Sequence, residues 1–160
     1  MTQLMKAVKS GDLPQVTNLI SQGVDVNQAD ANGDSPMIMA AYEGHDEILK
    51  ELLEAGADVS ALDPGMKATA LHAAAYAGRT GAARLLIAHK IEINRQGPYN
   101  GYTALHDAIW QGHLDTARVI IEAGADLTIK SNGGQTPIEF ARTRKLDSLV
   151  TLMETKSSQK

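Results

Sequence analysis

A six-residue box returns at a fixed interval along this chain, and that return limits its possible folds more than any other feature. Thr103-Ala104-Leu105-His106-Asp107-Ala108 has a counterpart 34 positions earlier in Thr69-Ala70-Leu71-His72-Ala73-Ala74, and another 34 before that in Ser35-Pro36-Met37-Ile38-Met39-Ala40. Thr136-Pro137-Ile138-Glu139-Phe140-Ala141 follows 33 positions after it, and Thr2-Gln3-Leu4-Met5-Lys6-Ala7 is a fainter copy at the start. Self-similarity at 33 to 34 residues denotes an array of stacked units, none of which can bury its apolar face alone. The units run approximately 1–30, 31–63, 64–96, 97–130 and 131–154, with 155–160 as a frayed tail, and together they are read as one domain spanning 1–160.

Inside a unit the signals alternate between helix and stop. Thr2 is an N-cap, Leu4, Ala7 and Val8 share one helical face, and Gly11-Asp12 breaks the helix. Pro14 then opens a second helix with Val16, Leu19 and Ile20 inside, ended by Gly23. The second unit repeats this with an Asn32-Gly33 turn, a Ser35 cap, a break at Gly44, the stripe Ile48, Leu49, Leu52 and Leu53, and a stop at Gly56. In the third unit Lys90 stands where the glycine stop belongs, which predicts a lysine in the left-handed conformation. The fourth restores Asn100-Gly101, Gly112 and Gly124. In the fifth, Lys145 replaces the mid-unit glycine, Val150 and Met153 continue the buried stripe, and Glu154 replaces an aliphatic, as a terminal unit with one wet face requires.

Composition narrows the interior and the partners. Hydrophobic residues are 43% of the chain but aromatics only 4%, so alanine, leucine and isoleucine must fill closely packed helical layers. A net charge of −4 argues against a nucleic-acid binder, which needs a dominant basic face. The charge is uneven: residues 1–80 carry 5 Lys/Arg against 11 Asp/Glu, a net −6, and residues 81–160 carry 10 against 8, a net +2. Unit 31–63 alone holds 8 acids and 1 base. There is no cysteine, hence no disulfide framework and no thiol nucleophile, which fits a reducing compartment. No signal peptide is visible and no apolar run reaches the roughly 18 residues of a membrane span. The expectation is a cytoplasmic protein with no membrane contact; a mature exported form would read the same way.

With these residues laid out, the chain resembles the ankyrin-repeat family. The likeness is carried by Asn100-Gly101-Tyr102-Thr103-Ala104-Leu105-His106-Asp107-Ala108, by Gly112-His113, by Ala123-Gly124-Ala125-Asp126-Leu127 and by Ala55-Gly56-Ala57-Asp58-Val59, and its pattern covers essentially the whole chain. The resemblance implies an all-α solenoid of stacked helix-turn-helix units with short β-hairpin fingers, about five repeats including two caps. It implies a slightly curved stack with a concave face, and a family role in holding other proteins. Fold alone does not assign the job.

Catalytic and metal chemistry find little support. His72 and His106 occupy equivalent box positions one unit apart, roughly 10 Å in packed helices, too far to share a metal at about 2 Å. They read as turn-fixing groups, as do His45 and His113, while His89 reads as exposed. Asp30-Ala31-Asn32-Gly33-Asp34-Ser35 starts like a calcium loop but has Ser35 and Ala41 where glycine and glutamate are needed. Asp107 beside His106 has no organised nucleophile. No cofactor, metal or catalytic residue is expected.

The positive signal is aromatic. Seven positions past the box Thr or Ser stand Tyr42, Tyr76 and Trp110, and the family likeness places that position on the concave face. Tyr99 and Tyr102 fall in one finger and are expected on the same side. Positions two, five and six past the Thr are already committed to the core, so the stripe reads as free of the repeat's own packing, though the rings could instead cover one another between units. Aromatics dominate binding hot spots at roughly 2 kcal/mol or more each. The site is therefore read as Tyr42, Tyr76, Trp110, Tyr99 and Tyr102 with a polar rim of Glu43, Asp107, Gln111 and Arg144. The function that follows is a non-catalytic, monomeric protein–protein interaction module. An inhibitor or immunity-type protein neutralising a cognate enzyme is the alternative, and an enzyme or small-ligand binder the remote one.

Overall fold

The computed structural model describes residues 1–159, which form five pairs of short helices. The pairs are α1 (Gln3–Ser10) with α2 (Leu13–Ser21), α3 (Pro36–Glu43) with α4 (Asp46–Glu54), α5 (Ala70–Ala77) with α6 (Thr80–Ala88), α7 (Ala104–Trp110) with α8 (Leu114–Glu122), and α9 (Pro137–Thr143) with α10 (Asp147–Ser158). First helices stack in one layer, α1, α3, α5, α7 and α9, and second helices in another. This is the all-α repeat solenoid that the periodicity demands. Among the described residues no helix is long and apolar enough to cross a membrane.

The box builds the start of each first helix. Thr2, Ser35, Thr69, Thr103 and Thr136 are all N-caps whose hydroxyls accept from the backbone N–H three residues on. In three units the third helical residue reaches back to the cap's own N–H: His72, His106 and Glu139. Histidine thus fills the place usually held by Glu or Gln in a capping box. Positions two, five and six past the cap go inside, as expected: Met37, Ala40, Ala41, Leu71, Ala74, Ala75, Leu105, Ala108 and Ile109 are each at most 1% exposed. The alanines let neighbouring first helices approach closely. The second helices supply larger groups, among them Leu52, Leu86 and Ile120, each fully buried and each contributing about 1.5–3 kcal/mol of burial.

Between units the chain makes turns closed by backbone pairs. Asp30 N–H donates to Asp34 O at 3.1 Å, Asp63 to Ala68 at 2.8 Å, Gly97 to Tyr102 at 2.8 Å and Ser131 to Gln135 at 2.8 Å. These fingers are too short for strands; the described residues contain a single isolated antiparallel bridge, Leu62 with Thr69. Adjacent fingers are tied together, Asn132 N–H to Asn100 O at 2.8 Å. Gly101 makes that approach possible: its φ is +73°, and a Cβ there would stand 2.7 Å from the Asn132 nitrogen.

Lys90 does adopt the left-handed conformation, with φ 66°, and so do Lys67 at 54° and Lys145 at 59°. Two expectations are corrected. Residues 155–158 are not a frayed tail but the last turn of α10, where Lys156 pairs with Glu122 of α8 at 2.8 Å. Lys160, the end of the expected tail, lies outside the described residues. His89 is only partly exposed, and its Nδ1–H donates to Leu85 O at 2.9 Å.

Candidate functional site

Residues four and seven past each cap lie on one face of a helix, because three residues are close to one turn. In α3 these are Met39 and Tyr42, in α5 Ala73 and Tyr76, in α7 Asp107 and Trp110. The face looks toward the fingers, and between the two runs a groove enclosing about 520 Å³. Ile38, Met39, Tyr42, Ala73 and Tyr76 form its helical wall. Met66 and Tyr99 come from the fingers, and Asp34, Asp63 and Asp107 supply its charged groups. A groove of this volume falls within the range of binding pockets, roughly 300–1,000 Å³.

The aromatic residues divide into two groups. Tyr42, Tyr76 and Tyr99 are 45%, 52% and 65% exposed and line the groove. None of them stacks on another ring; the ring contacts of the described residues join only Tyr102, His106, Trp110 and Phe140. The tyrosines therefore do not cover one another between units. The Tyr99 hydroxyl donates to Gly65 O at 3.1 Å, which anchors that ring to the preceding finger.

Tyr102 does not share the side of Tyr99. It is partly buried, stacked on His106 at 5.7 Å and edge-on to Phe140 at 5.1 Å, so the expected contact residue is part of the inter-repeat packing. Trp110 is 41% exposed, but one face lies 5.3 Å from Phe140. Arg144 sits over the same ring, 5.6 Å from its centroid, so it forms a cation–π lid on Trp110 rather than an independent rim group. Trp110 is thus not free of packing. Glu43 and Gln111 are exposed and do not line the groove.

Asp107, expected on the rim, is half-buried and lines the groove. No side chain among the described residues hydrogen-bonds or pairs with its carboxylate, and burial raises its pKa from 3.8 to about 7. An ionised carboxylate loses hydration there with nothing to replace it. His72 and His106 are held neutral. Each Nε2–H donates to a carbonyl of the next unit, Tyr102 O and Gln135 O, both at 3.0 Å. Each Nδ1 accepts from the N–H of its own cap, Thr69 at 3.3 Å and Thr103 at 3.1 Å. This fixes the tautomer, and burial lowers both pKa values. These histidines serve the scaffold. Among the described residues no group of His, Asp or Glu is placed to hold a metal.

Sequence reasoning missed Ile38, Met39, Met66 and Ala73. Part of the signal was available: the position four past each cap varies as Met39, Ala73 and Asp107 while the position after it stays alanine in Ala40, Ala74 and Ala108.

The family profile described as ankyrin repeats (3 copies) matches residues 1–63 and 55–131. The ankyrin repeat-containing protein YIL001W of Saccharomyces cerevisiae is 40% identical over 55 residues, 34% of this chain and 11% of its own length. Protein phosphatase 1 regulatory subunit 27 of Mus musculus is 36% identical over 61 residues, 38% of this chain and 40% of its own. Myotrophin of Xenopus tropicalis is 44% identical over 52 residues, 32% of this chain and 44% of its own. The alignments thus span less than half the length of these relatives. With the profile matched across residues 1–131 and five capped helix pairs in register, the chain belongs to the ankyrin-repeat family.

Proposed function

We propose that the chain is a non-catalytic, monomeric protein-interaction module that holds one partner protein in the groove between its first helices and its fingers. The observation that supports this most is the exposure of Tyr42, Met66, Tyr76 and Tyr99 around one 520 Å³ groove, against Met1, Trp110 and Leu114 exposed singly elsewhere. Large apolar groups left in water in one place mark interaction surfaces. The lack of cysteine fits a cytoplasmic site of action. Capture from host lysate with wild type, Tyr42→Ala and Tyr76→Ala side by side tests it. Both substitutions lower capture while melting temperature holds. Undiminished capture moves the contact to another surface, and the acidic unit 31–63 is then examined by reversing Glu47 and Glu51.

A second reading draws on one relative, which is by name a regulatory subunit of a phosphatase. A module that covers part of an enzyme regulates it, and the inhibitor reading is the extreme of that behaviour. The partner's activity, assayed with and without the module, separates regulation from simple tethering.

A further inference from the structure

We infer that the groove receives an arginine side chain of the partner protein, stacked among the rings of Tyr42, Tyr76 and Tyr99 with its guanidinium turned to the carboxylates that line the same groove. The inference rests on the groove being the partner site.

The lining is one-sided in charge. Asp34, Asp63 and Asp107 contribute to it, and no Lys or Arg does. Lys67 follows Met66 in its finger but is not part of the lining. His72, the one other basic group there, is neutral because its Nδ1 already accepts from Thr69. Asp63 spends one oxygen on the Met66 N–H within its own turn, leaving the other. No side chain among the described residues pairs with the Asp107 carboxylate, which lines the groove and whose pKa burial raises to about 7. An apolar segment entering the groove would strip water from these carboxylates and return nothing, which is costly. A cation entering it gains from each of them.

The rings choose among cations. Tyr42, Tyr76 and Tyr99 make no ring contact with other aromatics among the described residues and are about half or more exposed along the groove. A guanidinium is flat, weakly hydrated, stacks on aromatic faces and presents a fork to a carboxylate, whereas an ammonium is a compact, strongly hydrated point charge. The surrounding field has the matching sign. Residues 1–80 carry a net −6, which draws a basic partner toward the end of the molecule where the groove begins.

The test uses three short peptide libraries that differ only in a fixed central residue, Arg, Leu or Glu. Each is passed over the immobilised full chain at about 150 mM salt, where long-range attraction is screened. The Arg-centred library is retained about tenfold more than the Leu-centred one, a difference of about 1.4 kcal/mol, and the Glu-centred one is not retained. Tyr76→Ala and Asp107→Asn each reduce Arg-centred retention several-fold, with folding checked by thermal melts. Equal or stronger retention of the Leu-centred library overturns the inference; if Tyr76→Ala abolishes that retention, the groove reading stands without it. Arg-centred retention indifferent to both substitutions puts the contact elsewhere and overturns inference and groove reading together. Retention of no library overturns the inference, and capture with Tyr42→Ala and Tyr76→Ala then decides the groove reading.

Discussion

His72 donates its Nε2–H to the carbonyl oxygen of Tyr102 at 3.0 Å, across 30 residues of chain. The bond ties the third unit to the finger of the fourth, and it requires that Nδ1 carry no proton, since that nitrogen accepts the Thr69 N–H. The same pair of demands is made of His106 between Thr103 and Gln135. A box histidine is therefore a joint between neighbouring repeats, and it is a joint only when neutral.

Acid should loosen it. Burial lowers the folded-state pKa of His72 and His106 below the ordinary 6.5. The unfolded chain then binds protons more readily, so stability is fully present above pH 6.5 and declines as pH falls below it toward the folded values. Urea unfolding between pH 7.5 and 5 in the Asp107→Asn background, where the opposing carboxyl is absent, reads this directly. A stability that stays level or rises over that interval sinks the assignment.

Asp107 works in the opposite direction. Its folded pKa is raised from 3.8 to about 7, so its contribution is intact below pH 3.8 and is lost as pH rises through 7. Asp107→Asn removes the ionisation and keeps the shape. At pH 8 the variant should be more stable than wild type by up to about 4 kcal/mol, a gain that shrinks to nothing near pH 4. Denaturant midpoints at the two pH values check it. A variant less stable at pH 8 would mean that the carboxylate has a compensating partner in the folded chain.

Lys90 occupies a backbone conformation that suits glycine, at φ 66°, at the place where Gly56 and Gly124 end the corresponding helices of neighbouring units. A side chain there costs on the order of 1 kcal/mol. Lys90→Gly should raise the melting temperature by a few degrees, while Lys90→Ala should not. The pair of melts separates backbone strain from any effect of removing the charge.

The fold was readable because a repeat states its own rules several times over. Thr69 and Thr103 cap, Leu71 and Leu105 go inside, and Gly44 and Gly78 turn; each instruction is local and is confirmed by its copy. The groove was only half readable. Tyr42 and Tyr76 declared themselves because they are aromatic at a repeated position. Tyr99 and Tyr102, three residues apart, looked alike in sequence yet point to different surroundings, one anchored to Gly65 across the fingers and one packed on Phe140. That choice depends on Phe140, which stands four past its cap, where the two preceding units have the smaller Ala73 and Asp107, and draws Tyr102, His106 and Trp110 toward itself. The register of one unit does not show what its neighbour places opposite.

Phe140 also distinguishes two substitutions that the sequence treats as equivalent. Trp110→Ala removes a ring lying 5.3 Å from Phe140 and beneath Arg144, so it strips cover from a side chain that is 1% exposed. A loss of about 1–3 kcal/mol follows, and Trp110→Phe should recover much of it by restoring an aromatic face. Tyr76→Ala removes a ring that is 52% exposed and touches no other aromatic, and should stay within about 0.5 kcal/mol of wild type. Thermal melts of the three variants decide this before any binding is measured. Weak capture by Trp110→Ala would carry a stability cost within it, whereas weak capture by Tyr76→Ala would speak for the groove. If the two alanine variants melt alike, the packing of Trp110 on Phe140 contributes nothing and both residues regain equal standing as contact sites.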